Sequence, residues 1–495
     1  MKMQTTDYLG KTFYDTSRKR YMAKRLLYST NDWALFATDN NQVIRIIKSE
    51  DCSVEFRHWM LYIQQSEYLK KAEKQVAYPC AVLSGLRDRE VGYIFDFADP
   101  YILRELTDSV QNVKLFKWYY EQTGGISHRL KVGYCLAKAL MSLHGLGILY
   151  PDLSPDSILI HHYEPGNPSN PDVRLLAVET MGSETHSPLS RGTALYADPI
   201  VLLGMGALSI SSDSYAYAVV LFHLLTGFHP FIGNVAMGDS PDEQIRKLSR
   251  GEYDYICNEE SDNRNEDFED TMLTVLSEKM LHLFRRSFSN GKFDSNQRPG
   301  LEEYAAACLD SLGHLVSCIN PACSKEYLGA ITATCPFCTS QPARSITITA
   351  VRRVSSMAKF VMPDNLSGTL SDLPAVEETI NTMIITKDTK FIPISFFIPE
   401  ISSLKDRRCI ELSFEIGDII AIKNLLRNNS IYVGGRELSP YQPNGAEAKY
   451  KICAAIKDGI EIRFPLNFDF ESNQLLSICE KPYGQIRIEW LIRIK

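Results

Sequence analysis

The chain has 495 residues, 44% of them hydrophobic and 23% charged, with a formal net charge of −7. That balance is ordinary for a soluble globular chain of more than one domain, and it lacks the basic stripe of a general nucleic-acid binder. The opening MKMQTTDYLGKTF has no apolar signal-peptide core, and the most apolar run, AVVLFHLLTGFHPFI from Ala218, is interrupted by His223, Gly227, His229 and Pro230, so no membrane span is expected. Twelve cysteines without a secretion signal point to reduced thiols, a cytoplasmic location and a metal site.

Residues 1–99 read as short alternating strands and one helical stretch, Ser53 to Lys74. The first clear strand pair, KRLLYSTNDWALFATD, turns at Ser29 to Ala34, and no glycine occurs between Gly10 and Gly85. The next strand, VIRIIKSE, carries Arg45 and Lys48. Residues 100–316 read as mostly helical, with apolar positions at helical spacing in SHRLKVGYCLAKALMSLHGLG. In order there follow ILYPDLSPDSILI from Ile148, VRLLAVET from Val173, GTALYADP from Gly192, DSYAYAVVLFHLLTGFHPF from Asp213 and QRPGLEEY around Arg298. The acidic stretch CNEESDNRNEDFED reads as an exposed loop.

Residues 317–340 hold Cys318, Cys323, Cys335 and Cys338, spaced C-x4-C and C-x2-C with eleven residues between. Four thiolates on two turns suit one tetrahedral zinc, and with four protein ligands the site is structural rather than catalytic. Residues 341–383 read as a Ser/Thr-rich connector. Residues 384–495 read as short strands separated by Gly/Asn turns, the pattern of a β-sandwich. The expected architecture is a multidomain α+β chain.

The segments from Ile148 to Arg298 resemble, in order, those of a eukaryotic-type Ser/Thr protein kinase: the HRDLKPENIL catalytic loop, the metal-binding strand end, the GTxxYxAPE segment, the central helix of the larger lobe and the closing RPxxxE element. The resemblance implies a bilobal kinase-like fold with residues 1–99 as the smaller lobe. It aligns Asp152 with the catalytic base and Arg45 with the nucleotide-binding lysine, with Lys48 as its substitute if the register differs and Glu55 as the carboxylate partner. Glu55 reads equally as a solvated helix residue. Other aligned positions are exchanged. Ser157 stands where a metal-binding Asn belongs, Ala177 where the metal-binding Asp belongs, and Ser154 where a Lys belongs. Glu179 falls at a glycine position and reads as an exposed turn residue. Ile200 replaces the carboxylate that usually meets Arg298, leaving Asp198 as a replacement partner. A glycine-free first hairpin offers no close backbone cradle for phosphate.

The segment DRRCIELSFEIGDIIAIKNLLRNNSIYVGGREL, with IKDGIEIRF after it, resembles the centre of a forkhead-associated domain. That family binds phosphothreonine peptides, and Arg407, Asn429 and Lys387 align with its phosphate-binding groups, although Asp406 and Cys409 depart from the pattern. Arg407 reads equally as an exposed strand residue, and Asn429 as a turn residue. The combined modules resemble bacterial signalling proteins. They imply a pseudokinase adaptor with phosphothreonine-containing proteins, a partner kinase or a phosphatase as partners. An active Ser/Thr kinase using Asp152 with ATP and Mg, or a scaffold binding ATP without metal, are the alternatives.

Overall fold

The structure, a computed structural model, describes residues 5–48, 54–87, 89–98, 100–108, 117–161, 163, 171–182, 192–265, 275–329, 334–340, 345–357, 376–386, 391–393, 408–414, 420–426, 429–433, 435–440, 450–452, 460–464, 468–469, 474–475, 479–481 and 484–494. Its contacts divide the chain into two compact units, Met1–Leu309 and Asp310–Lys495.

The first unit begins with a seven-stranded antiparallel sheet. Its strands are β1 (Thr12–Asp15), β2 (Arg20–Met22), β3 (Arg25–Ser29), β4 (Trp33–Ala37), β5 (Gln42–Lys48), β6 (Ala81–Ser84) and β7 (Glu90–Asp96), in the order β2-β1-β6-β7-β5-β4-β3. Alternation along β5 divides its two faces. Ile44 and Ile46 enter an apolar core with Phe13, Phe36 and Ile94. Arg45 lies on the other face, in register with Tyr93 of β7.

The expected long helix after β5 is shorter: α1 spans Val54–Gln65, and a separate 3-10 turn covers Leu69–Ala72. The Tyr78 hydroxyl lies 2.5 Å from the carbonyl of Ile63 and 3.2 Å from that of Gln64. It satisfies acceptors that a continuing helix would have used, so the helix stops there.

The helical part follows. After β8 (Tyr101–Ile102) come α2 (Arg104–Thr107) and α3 (Gly125–Gly145), then β9 (Ile158–Ile160) and β10 (Val173–Leu175), which with β8 make a small sheet. The helices α4 (Pro199–Leu202) and α5 (Ile210–Thr226) come next. A helix apolar on all sides belongs inside a core, and every residue of α5 from Ser212 to Thr226 is buried. Ser209 and Ser212 cap its start reciprocally, and Gly227 ends it at φ 74°, a left-handed conformation that favours glycine. No helix among the described residues is long and apolar enough to cross a membrane.

Just beyond α5, His229 is buried in its neutral form. Its Nε2 donates to the Leu195 carbonyl at 2.7 Å, and its Nδ1 accepts from the Phe231 N–H at 3.3 Å. Protonation would place a second donor against that N–H, and burial pushes the imidazole pKa down to about 3. A lowered histidine pKa gives stability that is full above about pH 6.5 and drains as pH falls toward the folded value. Its share lost by pH 5 is on the order of 2 kcal/mol. Urea midpoints measured from pH 7 to pH 5 should therefore fall less steeply in His229→Gln than in the parent.

In the second unit a hairpin of β11 (Leu315–Ser317) and β12 (Glu326–Leu328) leads into the cysteine turns. Two further antiparallel sheets follow. The larger runs in the order Val376–Thr386, Ser345–Met357, Gly484–Ile494, Ile460–Arg463, Ile431–Val433, Arg436–Leu438. The smaller runs in the order Phe391–Pro393, Arg408–Phe414, Ile420–Asn424, Tyr450–Ile452. The expected connector is thus corrected. Ser345–Met357 is a central strand, paired over ten residues with the C-terminal strand, from Ile348↔Ile494 to Met357↔Gln485. Its other neighbour is Val376–Thr386, but the C-terminal partner lies more than a hundred residues away in sequence, so local composition gives no sign of that pairing.

Candidate functional site

Three segments of the first unit meet around Arg45: the face of β5 and β7 carrying Arg45 and Tyr93, the loop from Tyr150 to Ser157, and the turn Ala177–Thr180 after β10. Arg45 is the centre. Its Nη1 donates to Glu179 Oε2 at 2.8 Å, to the Leu176 carbonyl at 2.9 Å and to the Tyr93 hydroxyl at 3.0 Å. The guanidinium lies 5.2 Å from the Trp33 ring centroid and 5.8 Å from that of Tyr93. The pair is sealed from water, with side-chain exposures of 4% for Arg45 and 8% for Glu179. Burial pushes the Glu179 carboxyl above its ordinary pKa, against the pull of Arg45. Burial is the largest single influence on the Arg45 charge and works against it, but Glu179, Tyr93 and Tyr150 together outweigh it and hold the guanidinium above its usual value.

The expectation for Glu179 is corrected: it is buried and ion-paired, not an exposed turn residue. Its backbone is fixed too, since Trp59 of α1 donates its indole N–H to the Glu179 carbonyl at 3.1 Å. The carboxylate opposite Arg45 therefore comes from the segment after β10. Glu55 lies in α1, and its side chain is outside the described residues. Lys48, three residues beyond Arg45, lies on the opposite face of β5.

Asp152 lies in the loop from Tyr150 to Ser157 and is half-buried among its neighbours. Its Oδ1 accepts from the Thr193 hydroxyl at 2.7 Å. Burial holds its carboxyl above the ordinary range, while Thr193 and the Arg45 charge act the other way. Ser157 is turned to the loop itself. Its hydroxyl donates toward the Asp152 carbonyl at 2.6 Å and the Ser154 carbonyl at 3.0 Å, and it accepts from the Ser154 N–H at 3.0 Å. That hydroxyl is committed to holding a turn, not presented to a metal. Ala177 offers a buried methyl group, and its N–H donates to the Tyr150 hydroxyl at 2.7 Å. Tyr150 in turn donates its own N–H to Asp213 at 2.8 Å, and Asp213 meets His144 at 2.9 Å.

The first hairpin also reaches this loop. Tyr28, on the glycine-free β3–β4 hairpin, donates to Asp156 Oδ1 at 2.9 Å in the loop opposite. Arg104 of α2 grips both oxygens of Asp156, at 2.5 and 2.6 Å. Arg298 forms a separate buried bidentate pair with Asp198, at 2.5 and 2.8 Å, the replacement partner read from the sequence. Sequence reasoning missed Tyr28, Tyr93, Trp59 and Arg104, because each acts through a contact long-range in sequence. Tyr150 had a signal: it stands directly before the Pro151–Asp152 pair.

In the second unit, Cys318, Cys323, Cys335 and Cys338 bring their sulfurs within 4.8 Å of one another. The closest pairs are 3.4 Å and 3.8 Å, too long for disulfides and near the edge of about 3.8 Å that a tetrahedron of 2.3 Å Zn–S bonds requires. Each knuckle is shaped by backbone bonds: Cys323 N to Asn320 O at 2.9 Å, and Thr339 N to Cys335 O at 2.8 Å. Val316, Tyr327 and Phe337 pack around the sulfurs. The donor set fits one structural metal ion whose coordination the protein fills by itself.

In the strand-rich part, Asn429 supplies a backbone carbonyl that accepts from Asn424 Nδ2 at 2.8 Å, and the same amide reaches the Leu438 carbonyl at 3.0 Å. Cys409 is buried, with its thiol against the Ile392 carbonyl at 3.1 Å. Lys387 and Arg407 lie outside the described residues.

Comparison with known proteins finds Ser/Thr protein kinases over part of the chain. The serine/threonine-protein kinase GIN4 of Saccharomyces cerevisiae is 31% identical over 154 residues, 30% of this chain and 12% of that protein. Serine/threonine-protein kinase H1 of Mus musculus is 32% identical over 138 residues, 27% of this chain and 31% of the relative. PknF of Mycobacterium tuberculosis is 30% identical over 139 residues, 26% of this chain and 28% of the relative. The chain thus spans less than a third of the length of each of these relatives. No family model matches it. The similarity supports a kinase-like fold for part of this chain.

Proposed function

We propose that this chain is a protein-kinase-like signalling protein that works as an adaptor: a bilobal pseudokinase, a zinc ribbon and a forkhead-associated-like β-sandwich, acting in the cytoplasm through protein contacts. One observation carries the reading. Arg45, at the position aligned with the nucleotide-binding lysine, is committed to a buried pair with Glu179, with Tyr93 and the Leu176 carbonyl completing its bonds. Phosphoryl transfer depends on positioned charge. Here Ala177 brings a methyl group and Ser157 a hydroxyl already in use. Zinc is the metal that four thiolates select. The partners are phosphothreonine-containing proteins, an active kinase or a phosphatase.

The retained Asp152–Thr193 contact favours the second reading, an active kinase with Asp152 as base and ATP with Mg as co-substrate. Incubation with γ-labelled ATP and magnesium or manganese separates the two. No incorporation beyond that of Asp152→Ala is expected, and Asp152-dependent labelling would reverse the assignment. A thermal-shift scan at millimolar ATP should also show no stabilisation, whereas ATP bound at 100 times its Kd would add about 2.7 kcal/mol. A shift without metal would mark an ATP-binding scaffold instead.

A further inference from the structure

The strand β3 ends the first sheet, and none of its five residues is buried. Its ladder with β4 is interrupted by a register shift between Leu26 and Tyr28. An edge strand with a broken ladder and little buried apolar surface opens at low cost. Against that weakness stands one long-range tie: the Tyr28 hydroxyl donates to Asp156 Oδ1 at 2.9 Å, across 128 positions of sequence. The acceptor does not depend on the tie. Arg104 holds Asp156 through Nε and Nη2 at 2.5 and 2.6 Å, and its Nη1 holds Asp108 at 2.7 Å. When Tyr28 leaves, Asp156 keeps its cation, so no carboxylate is stranded without a partner. Tyr28 is itself half-buried, and its freed hydroxyl turns to water. This contact can break and re-form, unlike the sealed Arg45–Glu179 pair. What the hydroxyl holds in place is its ring. Tyr28 packs on Trp33 of β4 with centroids 5.5 Å apart and 36° between planes, and the Arg45 guanidinium lies 5.2 Å from the same Trp33 centroid.

We infer that Tyr28 and Asp156 form a conformational latch. Closed, it keeps β3 on the loop and the Tyr28 ring against Trp33; open, it frees β3 and uncovers Trp33 beside Arg45. The inference is independent of whether Asp152 transfers phosphate. Hydrogen exchange on the full chain tests it with Tyr28→Phe, which removes one oxygen and keeps the ring. Backbone amides of residues 25–30 should exchange about fivefold faster or more, the effect of losing one hydrogen bond to a carboxylate, while those of β6 and β7 stay unchanged. In an Asp156→Ala background the same substitution should add less than about twofold, because the acceptor is already gone. Acrylamide should quench more fluorescence in Tyr28→Phe than in the parent, and the increase should vanish when Trp33→Phe is added. Unchanged exchange at residues 25–30 would overturn the latch. So would equal acceleration throughout the sheet, which marks general destabilisation, or an undiminished effect in the Asp156→Ala background, which puts the hydroxyl's role elsewhere. Unaltered quenching would overturn the uncovering of Trp33.

Discussion

Replacing Glu179 with alanine should destabilise the first unit by about 3–5 kcal/mol, the usual cost of leaving one member of a buried ion pair alone. The reason lies in what Arg45 would have left. Its Nη1 would keep the Leu176 carbonyl and the Tyr93 hydroxyl, while its Nε already has no hydrogen-bond partner among the described residues. Two neutral acceptors do not compensate a guanidinium shut away from water. The double variant Arg45→Met/Glu179→Leu removes both charges together and should recover most of the loss, since an apolar pair of similar volume avoids the desolvation cost. Urea denaturation followed by tryptophan fluorescence suits the test, because Trp33 lies beside Arg45 and Trp59 bonds to Glu179. A Glu179→Ala variant as stable as the parent would mean that the pair does not hold these segments together.

Removal of the metal should have the second large effect. Structural zinc in small four-ligand sites contributes about 10–16 kcal/mol of apparent binding free energy at neutral pH. Among the described residues, the hairpin β11–β12 and the two knuckles have only Val316, Tyr327 and Phe337 packed around the sulfurs. That is too little apolar mass to fold the segment without an ion. Metal analysis of the purified chain should give one zinc per molecule. Chelation, or Cys335→Ser, should open residues 318–340 to proteolysis while the first unit keeps its melting transition. Resistance of this segment to protease with no metal bound would defeat the assignment.

The two sites differ in how far the sequence revealed them. Cysteine spacing is local, so Cys318, Cys323, Cys335 and Cys338 could be paired with a metal before any fold was known. The kinase-like segments were legible because each is a short contiguous pattern and their order is fixed along the chain. Asp152 and Arg298 could be named for the same reason, and Asp198 followed from the loss of a carboxylate at Ile200. Glu179 was misread because a lone acid after a strand looks like a solvated turn. Only the opposing strand shows that Arg45 is waiting for it. The strand Ser345–Met357 was misread as a connector because a partner over a hundred residues away leaves no trace in composition.

By itself, the sequence determined the helical and strand periodicities, the order of the kinase-like segments, the exchanged residues at 157 and 177, and the four metal-ligating thiols. All of these depend on near neighbours in the chain. The tertiary structure alone decided what surrounds Arg45. Strand register put Arg45 beside Tyr93, the turn after β10 brought Glu179 to 2.8 Å, and Tyr28 crossed from the first hairpin to Asp156. A buried charge is stable only where long-range packing supplies its partner, and no local pattern encodes that meeting.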